Sequence, residues 1–182
     1  MTCIIGYVHE GKVWMGGDSL ITNGSVQKVL TQRKVFKRGD MLIGVSGPAR
    51  LIQLVRHELG FQSVSDTSKL ETYESVLARF VEPLRELLKE RGFLDSEDGK
   101  DTTNSSILIG VHGRLFYLDS WLALVEHEDR FQAIGGANEV AIGAFAALDQ
   151  MQPRERILRA LEIAGAYWWG AGPPYYVEVL DE

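Results

Sequence analysis

Two runs of β-branched and aromatic residues, 3–8 (Cys-Ile-Ile-Gly-Tyr-Val) and 12–16 (Lys-Val-Trp-Met-Gly), are separated only by His9-Glu10-Gly11. A link that short joins antiparallel strands, because parallel neighbours need a crossover of about a dozen residues. The chain therefore opens with a β-hairpin. A second hairpin follows, Lys34-Val35-Phe36-Lys37 and Met41-Leu42-Ile43-Gly44-Val45, around a turn read as Arg38-Gly39-Asp40.

From Ala49 the apolar spacing becomes helical, with Leu51, Leu54, Val55 and Leu59 on one side and Gly60 as the stop. Leu70, Tyr73, Leu77, Phe80, Leu84 and Leu87 step by three and four, which is one face of a helix. Pro83 lies inside that pattern and, lacking a backbone donor, is expected to kink it. Residues 93–104 are polar and turn-rich and read as a surface loop. Strands are predicted at 107–111, 115–119, 123–126 and 131–134, helices over 139–150 and 153–168, and a closing strand at 175–180. Strands, two helices, strands, two helices and a strand, with short hairpins, describe an α+β sandwich of antiparallel sheets with helices outside. The 182 residues show no internal repeat and read as a single domain, 1–182.

Composition narrows the function classes. A formal net charge of −6 argues against an open phosphate-binding surface, so no nucleic-acid partner is expected. One cysteine excludes an intrachain disulfide framework. No apolar run reaches membrane-spanning length, and the N-terminus carries no basic leader followed by an apolar stretch, so the chain reads as cytoplasmic. The four histidines have no metal-ligand spacing, and Asp95, Glu97, Asp98 and Asp101 miss the pattern of a calcium loop. Gly16-Gly17 and Gly135-Gly136 make no dinucleotide fingerprint, so neither metal nor cofactor is expected. Trp168-Trp169 and Tyr175-Tyr176 read as core or subunit interface.

The N-terminus carries the chemistry. Thr2 follows the initiator Met1, and a small second residue suits methionine removal. That removal leaves a hydroxyl and a free α-amine on one residue, and an amine with a pKa of roughly 7.7–8 can take the hydroxyl proton. A first turn centred near Glu10-Gly11 puts Thr2 opposite residue 18 or 19, so Asp18 is within about one residue of the nucleophile. With the second turn at Arg38-Gly39-Asp40, Lys34 faces Gly44, setting a cation beside a glycine whose N–H can serve an oxyanion. Lys34 favours proton loss from its neighbours and Asp18 holds it in place.

On these residues the chain resembles the proteasome β-subunit family, including the bacterial proteasome-like peptidases that pair with an ATPase ring. Residues 2–8 through Met15-Gly16-Gly17-Asp18-Ser19-Leu20-Ile21-Thr22 resemble the family's opening strand pair, and Lys34 falls at its catalytic lysine. Residues 44–49 resemble the oxyanion glycine and first helix, residues 133–148 the Gly-Ser-Gly turn and third helix, and residues 160–165 the last helix. The resemblance implies a four-layer αββα N-terminal-nucleophile hydrolase fold. It implies a threonine endopeptidase in a homo-oligomeric ring, acting on peptides or unfolded proteins with an ATPase unfoldase or gate. Thr2 is then the nucleophile, Asp18 and Lys34 its activators, and Gly44 the oxyanion donor. Thr22 holds an extended substrate through its backbone, and Ile21, Leu42, Ser46 and Arg50 border the first specificity pocket. An inward Arg50 would favour acidic or small residues before the scissile bond.

Two family side chains are absent. The serine of the Gly-Ser-Gly turn is Gly136, and the late Asp-x-x-Ser-Gly reads Ala166-Tyr167-Trp168-Trp169-Gly170. These departures keep two other readings open: a catalytically silent ring or scaffold subunit, and an N-terminal-nucleophile amidase with a small amide substrate.

Overall fold

The computed structural model describes residues 2–60 and 73–181, apart from the Glu97 side chain. Met1 and Leu70, the first apolar position of the long helical pattern, lie outside the described residues. One antiparallel sheet has the order β12-β1-β2-β13, from β1 (Ile4–His9), β2 (Lys12–Gly17), β12 (Phe131–Ile134) and β13 (Tyr176–Leu180). A second has the order β11-β10-β9-β6-β5, from β5 (Val35–Arg38), β6 (Met41–Ser46), β9 (Ser106–Val111), β10 (Arg114–Leu118) and β11 (Leu124–Glu126).

Three apolar clusters show how these sheets are layered. Ile4, Val8, Val13 and Met15 of the first sheet meet Val35, Leu42, Leu108 and Leu115 of the second between the sheets. Cys3 and Ile5 face the other way, onto α4 (Asn138–Ala147) and α5 (Pro153–Tyr167) through Phe145, Ile157 and Leu161. Ile43, Val45 and Ile109 face α1 (Ala49–Gln53), α2 (Tyr73–Val76) and α3 (Glu82–Glu90) through Leu51, Val76 and Leu84. Alternate strand residues thus serve opposite cores, which is why both central strand sets read as nearly unbroken apolar runs. The fold is the four-layer αββα sandwich.

The structure departs from the sequence expectations in four places. Leu20–Asn23 (β3) and Val26–Val29 (β4) form a hairpin that the reading passed over, and the expected loop at 93–104 holds a small ribbon, β7 (Asp95–Glu97) with β8 (Lys100–Thr102). The long pattern through Pro83 is not one uniform α-helix: α2 runs through a π-helical turn, Leu77–Val81, into α3. There the Glu82 N–H donates to the Leu77 carbonyl five residues back, a wider turn that shifts the bonding pattern just before the residue without a donor. Finally, the β5–β6 loop is two residues, Gly39-Asp40, and pairs Arg38 with Met41. Gly39 takes φ 59°, as a tight two-residue hairpin loop requires at its first position.

Candidate active site

The first turn sets the geometry. Glu10 and Gly11 both take positive φ, 49° and 77°, and the β1–β2 ladder runs from His9↔Lys12 to Ile4↔Gly17. Extended two residues, this register puts Cys3 opposite Asp18 and Thr2 opposite Ser19, within the predicted window. Asp18 N–H donates to the Cys3 carbonyl at 3.1 Å, so the pairing does continue. Thr2 shares a face with Ile4 and therefore points into the space between the sheets.

Asp18, the residue after β2, is a hub. Its Oδ1 accepts from the Cys3 N–H at 2.9 Å and from Lys34 Nζ at 2.8 Å, and its Oδ2 accepts from the Leu20 N–H at 3.0 Å. The last bond, from the N–H two residues on, turns the chain from β2 into β3. Lys34 Nζ also donates to the Leu20 carbonyl at 2.6 Å. The ion pair is sealed, with side-chain exposures of 2% for Lys34 and 0% for Asp18. Burial lowers the Lys34 ammonium below the ordinary lysine range, against the pull of Asp18, so it releases a proton more readily than a surface lysine. The Cys3 thiol is pushed up to about 12 by burial first and then by Asp18, while Lys34 pulls it down. It is a core residue rather than a second nucleophile.

A cavity of about 430 Å³ opens beside this pair, with Thr2, Lys34, Ile21, Thr22 and Ser46 on its walls. Most of the remaining lining is apolar and includes Leu20, Leu30, Pro48, Ala49 and Ile52. Asn104 and Ser46 separate it from a second cavity of about 320 Å³, whose walls include Ser105, Ser106, Tyr117, Ser120 and Asn138. Among the described residues no group of three His, Cys, Asp or Glu side chains is poised to hold a metal.

Three of the residues singled out from sequence lie elsewhere. Leu42 is fully buried in the inter-sheet core. Arg50 is half exposed and paired with Glu58 at 2.7 Å, so the acidic preference inferred from an inward Arg50 has no side chain to carry it. Gly44 pairs with Val35 on one side and Leu108 on the other, one place off the expected Lys34↔Gly44 register. The Val45 N–H donates to the Lys34 carbonyl at 3.1 Å, and neighbouring residues of a strand alternate direction, so the Gly44 N–H points at β9. A Cβ on Gly44 would sit 2.7 Å from Met15 Sδ, so this glycine serves the close approach of the two sheets. The glycine that lines the cavity with Thr2 is Gly47, between the end of β6 and the start of α1. Its sequence signal was a glycine before Pro48 at a strand-to-helix junction.

On the other flank of Thr2, a Cβ on Gly135 would sit 2.1 Å from the Thr2 carbonyl oxygen, and one on Gly136 would sit 2.9 Å from Trp168 Nε1. Gly135 takes φ 98°.

No family model matches the chain. The ATP-dependent protease subunit HslV of Sulfurovum sp. (strain NBC37-1) is 27% identical over 175 residues, covering 90% of this chain and 89% of its own. Thiobacillus denitrificans BPH superposes with a TM-score of 0.81 at 19% identity, covering 99% of this chain and 98% of that one. A structure of BPH in complex with epoxomicin gives the same score with both chains fully covered. HslV from Trypanosoma brucei has a TM-score of 0.69 at 18% identity, again over both whole chains. These structural likenesses establish the fold.

Proposed function

We propose that this chain, a member of the HslV and proteasome-like family of N-terminal-nucleophile hydrolases, is a threonine endopeptidase subunit of a self-compartmentalising ring. The observation that carries this reading is the buried Asp18–Lys34 pair, with Thr2 and Lys34 together on the wall of a cavity. Removal of Met1 exposes the α-amine, which takes the proton of Thr2 Oγ1 as that oxygen attacks the peptide carbonyl carbon. The carbonyl electron pair moves onto oxygen, where the Gly47 N–H receives the charge in place of Gly44. Collapse breaks the C–N bond, the departing nitrogen takes the proton from the ammonium, and an ester remains on Thr2. Water then adds to the ester and gives its proton to the amine. The second collapse frees the carboxylate product and returns a proton to Oγ1.

The β3 strand pairs with β4 along one edge only among the described residues, and Thr22 lies on it at the cavity wall. An extended peptide can add to its other edge, which is the backbone role assigned to Thr22. Leu20, Ile21, Leu30, Ala49 and Ile52 then favour an apolar residue before the scissile bond. The ring, its ATPase partner and the cytoplasm as its setting belong to the same reading. No helix among the described residues is long and apolar enough to cross a membrane.

The test is an intact mass after incubation with a peptide epoxyketone, which needs hydroxyl and amine together. The expected product lacks Met1 and carries one inhibitor. A chain that keeps Met1 and takes no label makes the silent scaffold the working answer. A chain without Met1 that takes no label but hydrolyses a small amide identifies the amidase.

A further inference from the structure

The second cavity, of about 320 Å³, has no part in the reaction as derived above. It lies at one end of the space between the sheets. The second sheet supplies the paired residues Ser46 and Ser106 and, from β10, Tyr117. The first supplies Gly135 and Gly136 after β12, followed by Asn138 at the start of α4. No Asp, Glu, Lys, Arg or His among the described residues lines it. Burial first, and then Asp119, raises the Tyr117 phenol above its ordinary range, so it stays a neutral donor. Among the described residues the side chains of Ser46, Asn104, Tyr117 and Asn138 have no hydrogen-bond partner, so their donors and acceptors are unused inside the protein.

Thr2 stands between the two cavities. It lines the first together with Ser46 and Asn104, which also line the second. On its other flank is Gly135, a wall of the second cavity, where a Cβ would sit 3.1 Å from the Thr2 Cβ. The Cys3 N–H points toward β2, to Asp18, so the Thr2 nitrogen one residue earlier points the other way, toward β12 and this second cavity. In the first half of the reaction the departing nitrogen takes its proton from that ammonium. The segment that begins with the departing nitrogen therefore lies on the β12 flank, while the acyl half keeps its side chain in the apolar first cavity.

Resting on the threonine-endopeptidase reading above, we infer that the second cavity binds the side chain of the residue after the scissile bond and selects a neutral, hydrogen-bonding one: glutamine, asparagine or serine. An apolar side chain there covers the Tyr117 hydroxyl and the Asn138 amide without offering either a partner. A charged one gives up hydration and meets no counter-charge on the walls. Tyr117 and Asn138 are the specificity-determining residues, because they line the second cavity and not the first.

Internally quenched peptides with leucine before a single cleavage point, located by product masses, and a varied residue after it read the preference directly. With the wild-type protein, kcat/KM for glutamine, asparagine or serine at that place exceeds the value for leucine, aspartate or lysine roughly tenfold. Tyr117→Phe removes one donor and lowers the glutamine-to-leucine ratio about threefold. Adding Asn138→Leu brings the ratio to about one or below. A general weakening of the fold or of the nucleophile lowers both rates together and leaves the ratio where it was. A wild-type preference for apolar or charged residues, or no preference, overturns the inference, as does a ratio that Tyr117→Phe and the double variant both leave unchanged. In each of those cases peptides are still cut and a peptide epoxyketone still labels Thr2, so the threonine-endopeptidase reading stands. A wild-type chain lacking Met1 that neither labels nor cuts any of the peptides removes that reading, and the inference with it.

Discussion

Lys34 and Asp18 have to be considered as one unit, because each is the other's counter-charge in a buried ion pair. Lys34→Met is expected to cost about 3 kcal/mol or more of stability by stranding Asp18, and to lower peptide turnover roughly 100-fold or more. The double variant Asp18→Asn with Lys34→Met recovers part of the stability, because the Asn amide offers one oxygen where Asp18 accepts from both the Cys3 and Leu20 N–H groups, and none of the turnover, read by urea midpoint and peptide hydrolysis. Cys3 offers a second check. Its folded thiol stays protonated to about 12 while the unfolded thiol ionises near 9.0, so the unfolded chain loses the proton first. The stability contributed by Cys3 is therefore full at neutral pH and lost as pH rises from about 9 through about 12. Lys34 works in the opposite sense, gaining stability as pH approaches its unfolded value of 10.5, so the measurement is differential. The stability gap between wild type and Cys3→Ala shrinks between pH 8 and pH 11, a gap that stays constant being the contrary result. Thr2 and Asp18 were legible as neighbours because a hairpin converts residue number directly into spatial neighbourhood, whereas Lys34 was placed by the family resemblance. Gly44 was misassigned because its role depended on one residue of turn length, and a slip of one reverses every direction along a strand.

At the scale of elements, the turns decide which glycines matter. Gly39 and Gly135 both take positive φ, 59° and 98°. Around Gly39 a Cβ would meet nothing within 4 Å, whereas at Gly135 it would meet the Thr2 carbonyl oxygen at 2.1 Å. Gly39→Ala is expected to cost about 1 kcal/mol of backbone strain and leave turnover intact. Gly135→Ala displaces the start of β1 and abolishes turnover, with a larger fall in melting temperature. Comparable turnover losses in the two would contradict this assignment. The apolar runs and the three-four spacing made most strands and helices readable. The β3–β4 hairpin was missed although Asn23-Gly24-Ser25 is a strong turn signal, because both strands of β4's ladder are short and β4 is exposed along its length. The ribbon at β7–β8 has no apolar alternation to announce it, since Asp95–Glu97 and Lys100–Thr102 are polar throughout.

For the whole molecule, the exposed apolar surface bears on assembly. Val26 and Val29 of β4 are 52% and 57% exposed, and Tyr167 and Trp169 after α5 are 79% and 52% exposed. The Gln27 side chain donates to the Trp169 carbonyl, so these residues form one neighbourhood. Such a patch is the kind of surface that a subunit contact covers. The wild-type chain is expected to sediment as a multiple of 20.3 kDa, and Val29→Asp with Tyr167→Asp as a monomer. A monomeric wild type at micromolar concentration would count against the ring.

The Asp18 hub has a consequence for how this gene can vary. Cys3, Leu20 and Lys34 all meet one carboxylate, and Thr2 precedes the first of them by a single peptide bond. The start of the chain therefore works as a ruler counted from the Glu10-Gly11 turn. Adding or removing one codon between 3 and 18 shifts the count and disconnects Thr2 from the Asp18–Lys34 pair, even where the sandwich tolerates the change. The same codon added at Asp98-Gly99, at the tip of the outer ribbon, leaves the count untouched. Length variation among close relatives should be absent from the first segment and permitted in the second.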